Sequence, residues 1–185
     1  MKTEQERLRL VAQWYSNRTG FYSQLVVFGF RSLEPYFLPG NVLEMGSADG
    51  QMTELLEASF DDISVVDGSQ EYVAAIRSRM PAVKAYASLF EDFDPPEAYE
   101  NIVMAHILEH VEDPVAILRR AAAWLKPGGR IQIIVPNADS VHRLVALPAE
   151  DDQVRCRMVT LLKVFVMRVE KACRPTALLA VTVRT

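Results

Sequence analysis

Asn41-Val42-Leu43-Glu44-Met45-Gly46-Ser47-Ala48-Asp49-Gly50 is the stretch that decides the fold of this 185-residue chain. Val42 to Met45 is a short apolar run bounded by turn formers, the pattern of a strand buried in a parallel sheet. Gly46 and Gly50 then remove side chains where the backbone must turn sharply and where a ligand would approach the main chain. A helix is expected after Gly50. In an open α/β sheet, such a turn at the carboxyl edge of the first strand is where nucleoside ligands bind. The E-x-G-x-x-x-G spacing is weak evidence by itself, because GxxxG pairs also arise from helix packing.

Working outward, strands and helices alternate from Gly40 on. A helix over residues 51–59 turns Met52, Leu55 and Leu56 inward, and Ile63-Ser64-Val65-Val66-Asp67 is a second strand ending in an acid. Ser69 suits an N-cap and Glu71 the first turn of a helix that carries Tyr72, Val73 and Ile76. Weaker strand character covers residues 83–87, and a fourth strand covers 101–105. Asp113 and Pro114 occupy the N-cap and first position of a helix that buries Ile117, Leu118, Ala121 and Leu125 and stops at Pro127-Gly128-Gly129. Residues 131–135 form a fifth strand, ended by Pro136. This alternation implies crossover units and an α/β, Rossmann-like, doubly wound and mostly parallel sheet with helices on both faces.

The first forty residues carry two helical stripes. One holds Leu8, Val11, Ala12 and Tyr15, the other Tyr22, Leu25, Val26, Gly29, Phe30 and Leu33, closed by Pro35 and Pro39-Gly40. They are either a helix pair packed on the sheet or a lid with Tyr15, Phe21 or Tyr22 facing the substrate. Beyond the fifth strand, Val154, Met158, Leu161, Leu162, Phe165 and Val169 form an amphipathic stripe among basic residues. That stripe reads as a helix packed on the sheet, with a helix lying on a membrane surface as the alternative. One further strand is visible over residues 177–183, so the sheet is expected to be incomplete at its C-terminal edge: truncated, altered or divergent. That exposed edge invites a homodimer.

Length and composition suit one soluble domain, 50% apolar and 24% charged. It is organised as a helical lid over 1–40, a cofactor-binding core over 41–148 and a C-terminal segment over 149–185. Residues 1–148 carry 13 basic and 20 acidic side chains, whereas 149–185 carry 7 and 4. The acidic body argues against a nucleic-acid partner. No apolar run reaches the ~18 residues of a membrane span. The first residues lack the apolar core of a signal peptide, and Cys156 and Cys173 match no disulfide framework or zinc pattern. A cytoplasmic location is expected.

Asp67 narrows the ligand. It ends the second strand 23 residues after Glu44, where a carboxylate can accept from both ribose hydroxyls, although an acid at a sheet rim can also be merely solvated. A dinucleotide site would add a further glycine to cradle pyrophosphate, and Asp49 would sit badly beside one. An acidic loop suits a cationic or zwitterionic cofactor.

VLEMGSADG (42–50), VVDGS (65–69), NIVMAHILEHVEDP (101–114) and LKPGGRIQIIVPN (125–137), in this order, resemble the class I S-adenosylmethionine-dependent methyltransferases. The likeness is to their small-molecule branch, type 11/23, and covers residues 40 to 145. It implies that Glu44, Gly46, Ser47 and Gly50 line the methionine part of S-adenosyl-L-methionine. Asp67 would bind the ribose, with Gly68 and Ser69 beside the adenine. Ser88, Leu89 and Phe90 match the segment that contacts the adenine ring, where many relatives have an acid at Ser88. Ala105 and His106 would lie near the sulfonium. Asn101 replaces a common Asp, a departure that reads as peripheral.

Methyl transfer is an in-line displacement in which positioning contributes about 7–11 kcal/mol. A base is needed only if the acceptor must lose a proton. His110 and His106 are the candidate catalytic residues, four apart and on one face if the segment is helical. A structural histidine at His110 is the plainer account. Glu109 beside them allows a two-His-one-carboxylate site to be drawn, but no metal is expected. His142, near Asn137 and Asp139, is a further candidate for the acceptor pocket, and Arg119 and Arg120 read as solvated. The expected function is methyl transfer to an O or N atom of a small metabolite. The rivals are a non-catalytic or inactive methyltransferase-like protein and an NAD-dependent dehydrogenase; the latter lacks its third glycine and a clear Tyr-x-x-x-Lys.

Overall fold

A computed structural model of the chain describes residues 21–136, 162–168 and 181–184. The first helical stripe, His142 with its neighbours, both cysteines and residues 154–161 lie outside the described residues. Helix α1 spans Phe21–Leu33 and leads through a short 3-10 turn, Glu34–Tyr36, into β1, Val42–Met45. Then come α2 (Gln51–Leu56), β2 (Ile63–Asp67), α3 (Gln70–Arg79), β3 (Lys84–Ala87) and β4 (Tyr99–Ala105). A 3-10 turn at Leu108–His110 precedes α4 (Pro114–Ala123) and β5 (Leu125–Pro136), and the strands β6 (Leu162–Arg168) and β7 (Val181–Arg184) follow.

Local chemistry places these ends. Ser69 Oγ accepts the Tyr72 N–H at 3.3 Å, and Asp113 Oδ1 accepts the Ala116 N–H at 2.9 Å, so both expected N-caps form. Pro114 takes the first helical position of α4. The sheet order is β3-β2-β1-β4-β5-β6-β7, with the first five strands parallel and the last two antiparallel. Alternate residues of the buried strands feed opposite faces, as a pleat requires. Val42, Val65, Val103 and Ile134 pack with Val26 and Phe30 of α1, Met52 and Leu56 of α2, and Ile76 of α3. Leu43, Met45, Val66, Ile102 and Met104 pack with Ile117 and Ala121 of α4 and with Phe90 and Phe93.

Four expectations are corrected. Residues 162–168 form a strand where a helical stripe was read, paired with β5 from Arg130↔Arg168 to Pro136↔Leu162. The run Leu-Lys-Val-Phe-Val-Met-Arg is β-branched and aromatic, which suits a strand, and its apolar residues fit a helical period only by coincidence. With β7 it supplies the antiparallel pair beyond β5, so the expected gap at the C-terminal edge is filled. Leu125 belongs to β5 and not to α4: the helix ends at Ala123, and Tyr99 pairs with Leu125 across a register shift before Asn101. Arg120 is half-buried, not solvated, and donates to the Phe90 and Phe93 carbonyls. No helix among the described residues is long and apolar enough to cross a membrane.

Asn101 has a larger part than its peripheral reading. It is fully buried, and its amide works as a two-way bracket on the chain entering β1. Oδ1 accepts from Leu38 N at 2.9 Å and from Gln132 Nε2 at 3.0 Å, while Nδ2 donates to Leu38 O at 2.8 Å and Asn41 O at 3.4 Å. An aspartate has no donor for either carbonyl. Asn101→Asp should therefore lose about 1–3 kcal/mol of stability at neutral pH, measured by urea denaturation; an unchanged midpoint would show that the bracket is not needed.

Candidate cofactor site

β1 lies between β2 and β4, and the sheet's strand order reverses there, so the carboxyl end of β1 is the crevice of an open α/β sheet. An open cleft occupies this place. Glu44, Gly46, Ser47, Ala48 and Asp49 line it from the β1 end, Ala105 and His106 from the β4 end, and Val26 and Met52 from the helices. Val26 brings α1 to the rim, so that helix both packs on the sheet and walls the cleft. The Phe21 and Tyr22 side chains lie outside the described residues, as does Tyr15.

The turn after β1 is held by Asp67. Ser47 N and Ala48 N donate to Asp67 Oδ2 at 2.9 and 3.2 Å, and Ser69 N donates to Oδ1 at 2.8 Å. The turn is left-handed at Gly46 (φ +81°) and Gly50 (φ +84°). A Cβ on Gly46 would stand 2.7 Å from Ile107 Cδ1, so glycine is required there by both conformation and space. Burial pushes the Asp67 carboxyl up from its ordinary value, against the pull of the three backbone N–H groups and the Ser47 hydroxyl.

Glu44 is the chemically unusual member. It is 1% exposed and makes no ion pair among the described residues; Thr53 Oγ1 donates to its Oε2 at 2.6 Å. Burial pushes its carboxyl up to about 8, helped by the negative Asp67 and Asp49 and opposed by the Thr53 hydrogen bond. Glu44 and Asp49 thus line the cleft with Asp67 in the row behind them, and no cation pairs with Glu44 among the described residues. A ligand with positive charge fits this donor and acceptor set, and pyrophosphate does not.

His106 follows directly after β4 in a left-handed conformation (φ +56°), uncommon for a residue other than glycine. Its N–H donates to Ile134 O at 2.8 Å, its Nδ1 stands 3.6 Å from Glu109 Oε1, and its Nε2 is buried with no partner among the described residues. His110 closes the 3-10 turn by donating its N–H to Ile107 O. Because that turn starts only at Leu108, the helical face expected to carry both histidines does not form. Among the described residues no group of three metal-ligating side chains gathers.

Of the residues read from sequence, Glu44, Gly46, Ser47, Ala105 and His106 line the cleft together. Gly50, Asp67, Gly68 and Ser69 stand in the second row, where Asp67 and Ser69 brace the turn and the next helix. Ser88 is tied to β2 through its N–H to Asp67 O at 3.0 Å, but the Phe90 ring enters the core. Thr53 was missed. Its signal was a hydroxyl at an inward position of α2, between Met52 and Leu56.

Folded Glu44 keeps a proton until about pH 8, and the unfolded chain gives it up near 4.5. The native state therefore binds more protons in that interval; this contribution to stability is complete below pH 4.5 and is lost as pH rises toward 8. Glu44→Gln keeps the Thr53 bond and removes the titration. The stability difference between wild type and this variant should change by about 3–5 kcal/mol across that window, read from urea melts at several pH values.

The arrangement has relatives. A family model described as a methyltransferase domain matches residues 16–163. A probable S-adenosylmethionine-dependent methyltransferase of Mycobacterium tuberculosis is 25% identical over 126 residues, covering 68% of this chain and 44% of that protein. The ubiquinone biosynthesis O-methyltransferase of Xanthomonas campestris pv. campestris is 32% identical over 101 residues, covering 51% of this chain and 42% of the relative. The chain thus spans less than half the length of these curated relatives. The crystal structure of N-methyltransferase NodS from Bradyrhizobium japonicum, in complex with S-adenosyl-L-homocysteine, shares the fold with a TM-score of 0.57 at 21% identity, covering 80% of this chain and 72% of that one. With four-fifths of its length inside the family model, the chain belongs to the methyltransferase domain family, and the cofactor its relatives are named for is S-adenosylmethionine.

Proposed function

We propose that this domain transfers the methyl group of S-adenosylmethionine to an oxygen or nitrogen atom of a small metabolite. The observation that carries the reading is Glu44: a buried carboxyl without an ion-pair partner among the described residues, with Asp49 and Asp67 nearby, at the crevice of the sheet. Bound there, the cofactor supplies an electrophilic methyl group on a sulfonium, with a neutral thioether as leaving group. Glu44, Gly46, Ser47 and Gly50 are assigned to its amino-acid end. Asp67 is assigned to the ribose: Oδ2 takes Ser47 N, Ala48 N and the Ser47 hydroxyl, whereas Oδ1 holds a single bond, from Ser69 N, and keeps a position for a hydroxyl donor. Gly68, Ser69, Ser88, Leu89 and Phe90 are assigned to the adenine side, with Ser69, Leu89 and Phe90 acting through backbone.

Ala105 and His106 border the cleft where the acceptor would meet the methyl group. His106 is the better candidate for orienting the acceptor or taking its proton, with Glu109 beside its other nitrogen. His110 is assigned a supporting role in the turn below the site's rim residues. The names of two relatives, an O-methyltransferase and an N-methyltransferase, support an O or N acceptor without choosing between them.

Calorimetric titration tests the reading. S-Adenosylmethionine and S-adenosylhomocysteine should bind in the micromolar range and NAD should not. Asp67→Ala should weaken both sulfur ligands about tenfold or more, because it removes the ribose acceptor and frees the Ser47-Ala48 turn. Binding of NAD alone would instead favour a dehydrogenase.

A further inference from the structure

The three carboxyl groups at the crevice are not equally provided for. Asp67 accepts from the N–H groups of Ser47, Ala48 and Ser69, at 2.9, 3.2 and 2.8 Å. Asp49 accepts from its neighbour Gln51, whose Nε2 stands 2.7 Å from Oδ2. Glu44 is 1% exposed, and among the described residues it has Thr53 Oγ1 alone, donating to Oε2 at 2.6 Å. A buried carboxylate with one donor and no cation is far less stable than the neutral acid.

The elements around Glu44 leave that deficit standing. β2 contributes Asp67 and the glycine turn contributes Asp49, both acidic, while α1 and β5 bring Val26 and Ile134 to the cleft wall. His106 lines the same cleft after β4, but its Nδ1 stands beside Glu109. Arg79, at the end of α3, reaches the Asp49 carbonyl and the Glu54 carboxylate instead. Before a ligand binds, Glu44 is therefore the acid at neutral pH; burial pushes its carboxyl up to about 8.

An ammonium group changes this balance. It supplies a counter-charge and N–H donors, the two things the Glu44 carboxylate lacks. The O–H bond of Glu44 then breaks, its proton leaves to solvent, and the ammonium takes over the positive charge. Carboxylate and ammonium together carry no net charge, as the protonated acid carried none, so the exchange suits a buried site.

We propose that Glu44 releases its proton as the α-ammonium group of the cofactor enters the crevice, with Thr53 positioning the carboxyl for the exchange. The proposal rests on the reading that the crevice takes S-adenosylmethionine with its amino-acid end at Glu44.

The test uses the full chain with S-adenosylhomocysteine, which carries the ammonium group, and 5′-methylthioadenosine, which does not. Calorimetric titration at about pH 6.5, in two buffers of different ionisation heat, counts the protons exchanged. Wild type should release about one proton per S-adenosylhomocysteine and none with 5′-methylthioadenosine. Its affinity for the first should rise about tenfold per pH unit from about pH 6 to about pH 8 and then level off. Glu44→Gln keeps His106 and the Thr53 bond; it should release no proton and hold a steady affinity over that range. Thr53→Val removes the donor that favours the carboxylate, so the levelling point should move to higher pH. A merely structural threonine would leave that point in place. Binding of S-adenosylhomocysteine without proton release, or the same release from Glu44→Gln or with 5′-methylthioadenosine, would overturn the proposal and leave the cofactor reading intact. If Glu44→Gln does not fold, the levelling point in Thr53→Val decides. Wild type that binds neither ligand would remove the cofactor reading and the proposal with it.

Discussion

The carboxylate of Asp67 is the joint on which the site depends. It lies at the end of β2, yet two of its three backbone donors belong to the turn after β1 and the third starts α3. A left-handed glycine turn has backbone N–H groups that no ladder satisfies, and a buried carboxylate needs donors in place of water. Each requirement meets the other. The result locks two neighbouring strands and the helix after the second into one unit before any ligand arrives. A third strand joins through Ser88, whose N–H bonds the Asp67 carbonyl.

Charge is the second constraint. Burial first, and the neighbouring Asp67 and Asp49 after it, keep Glu44 protonated against the pull of the Thr53 hydroxyl. A cationic ligand suits such a crevice, and an anionic one would add to its negative charge. Selectivity for the class of ligand is in this sense built into burial, ahead of any specific hydrogen bond.

Much of this was legible in the sequence, for identifiable reasons. Val42–Met45 and Ile63–Asp67 are continuous apolar runs between turn formers, and buried parallel strands leave little else to confuse them with. Ser69 and Asp113 announced their helices because capping is a local interaction. The turn at Gly46 and Gly50 followed from its glycines, whereas Glu44, Ser47, Ala105 and His106 came from the family resemblance. What stayed hidden depends on partners distant in the chain. Residues 162–168 are a strand because β5 offers an edge to pair with, which no local period records. Arg120 looked solvated because the carbonyls it serves lie about thirty residues earlier. The separation of His106 from the turn that holds His110 hinges on one left-handed residue, and a histidine gives no warning of that.

The central position of β1 also has a cost in time. The chain entering β1 is tied to the start of β4 by Asn41 N donating to Glu100 Oε2, groups 59 residues apart. At a synthesis rate of about 5–20 residues per second, β1 emerges roughly 3–12 s before its second neighbour exists. During that interval Val42, Leu43 and Met45, all fully buried in the finished sheet, have one flank uncovered. The crevice is therefore among the last parts of the domain to acquire its walls, and a nascent chain halted before β4 would carry the glycine turn without a site.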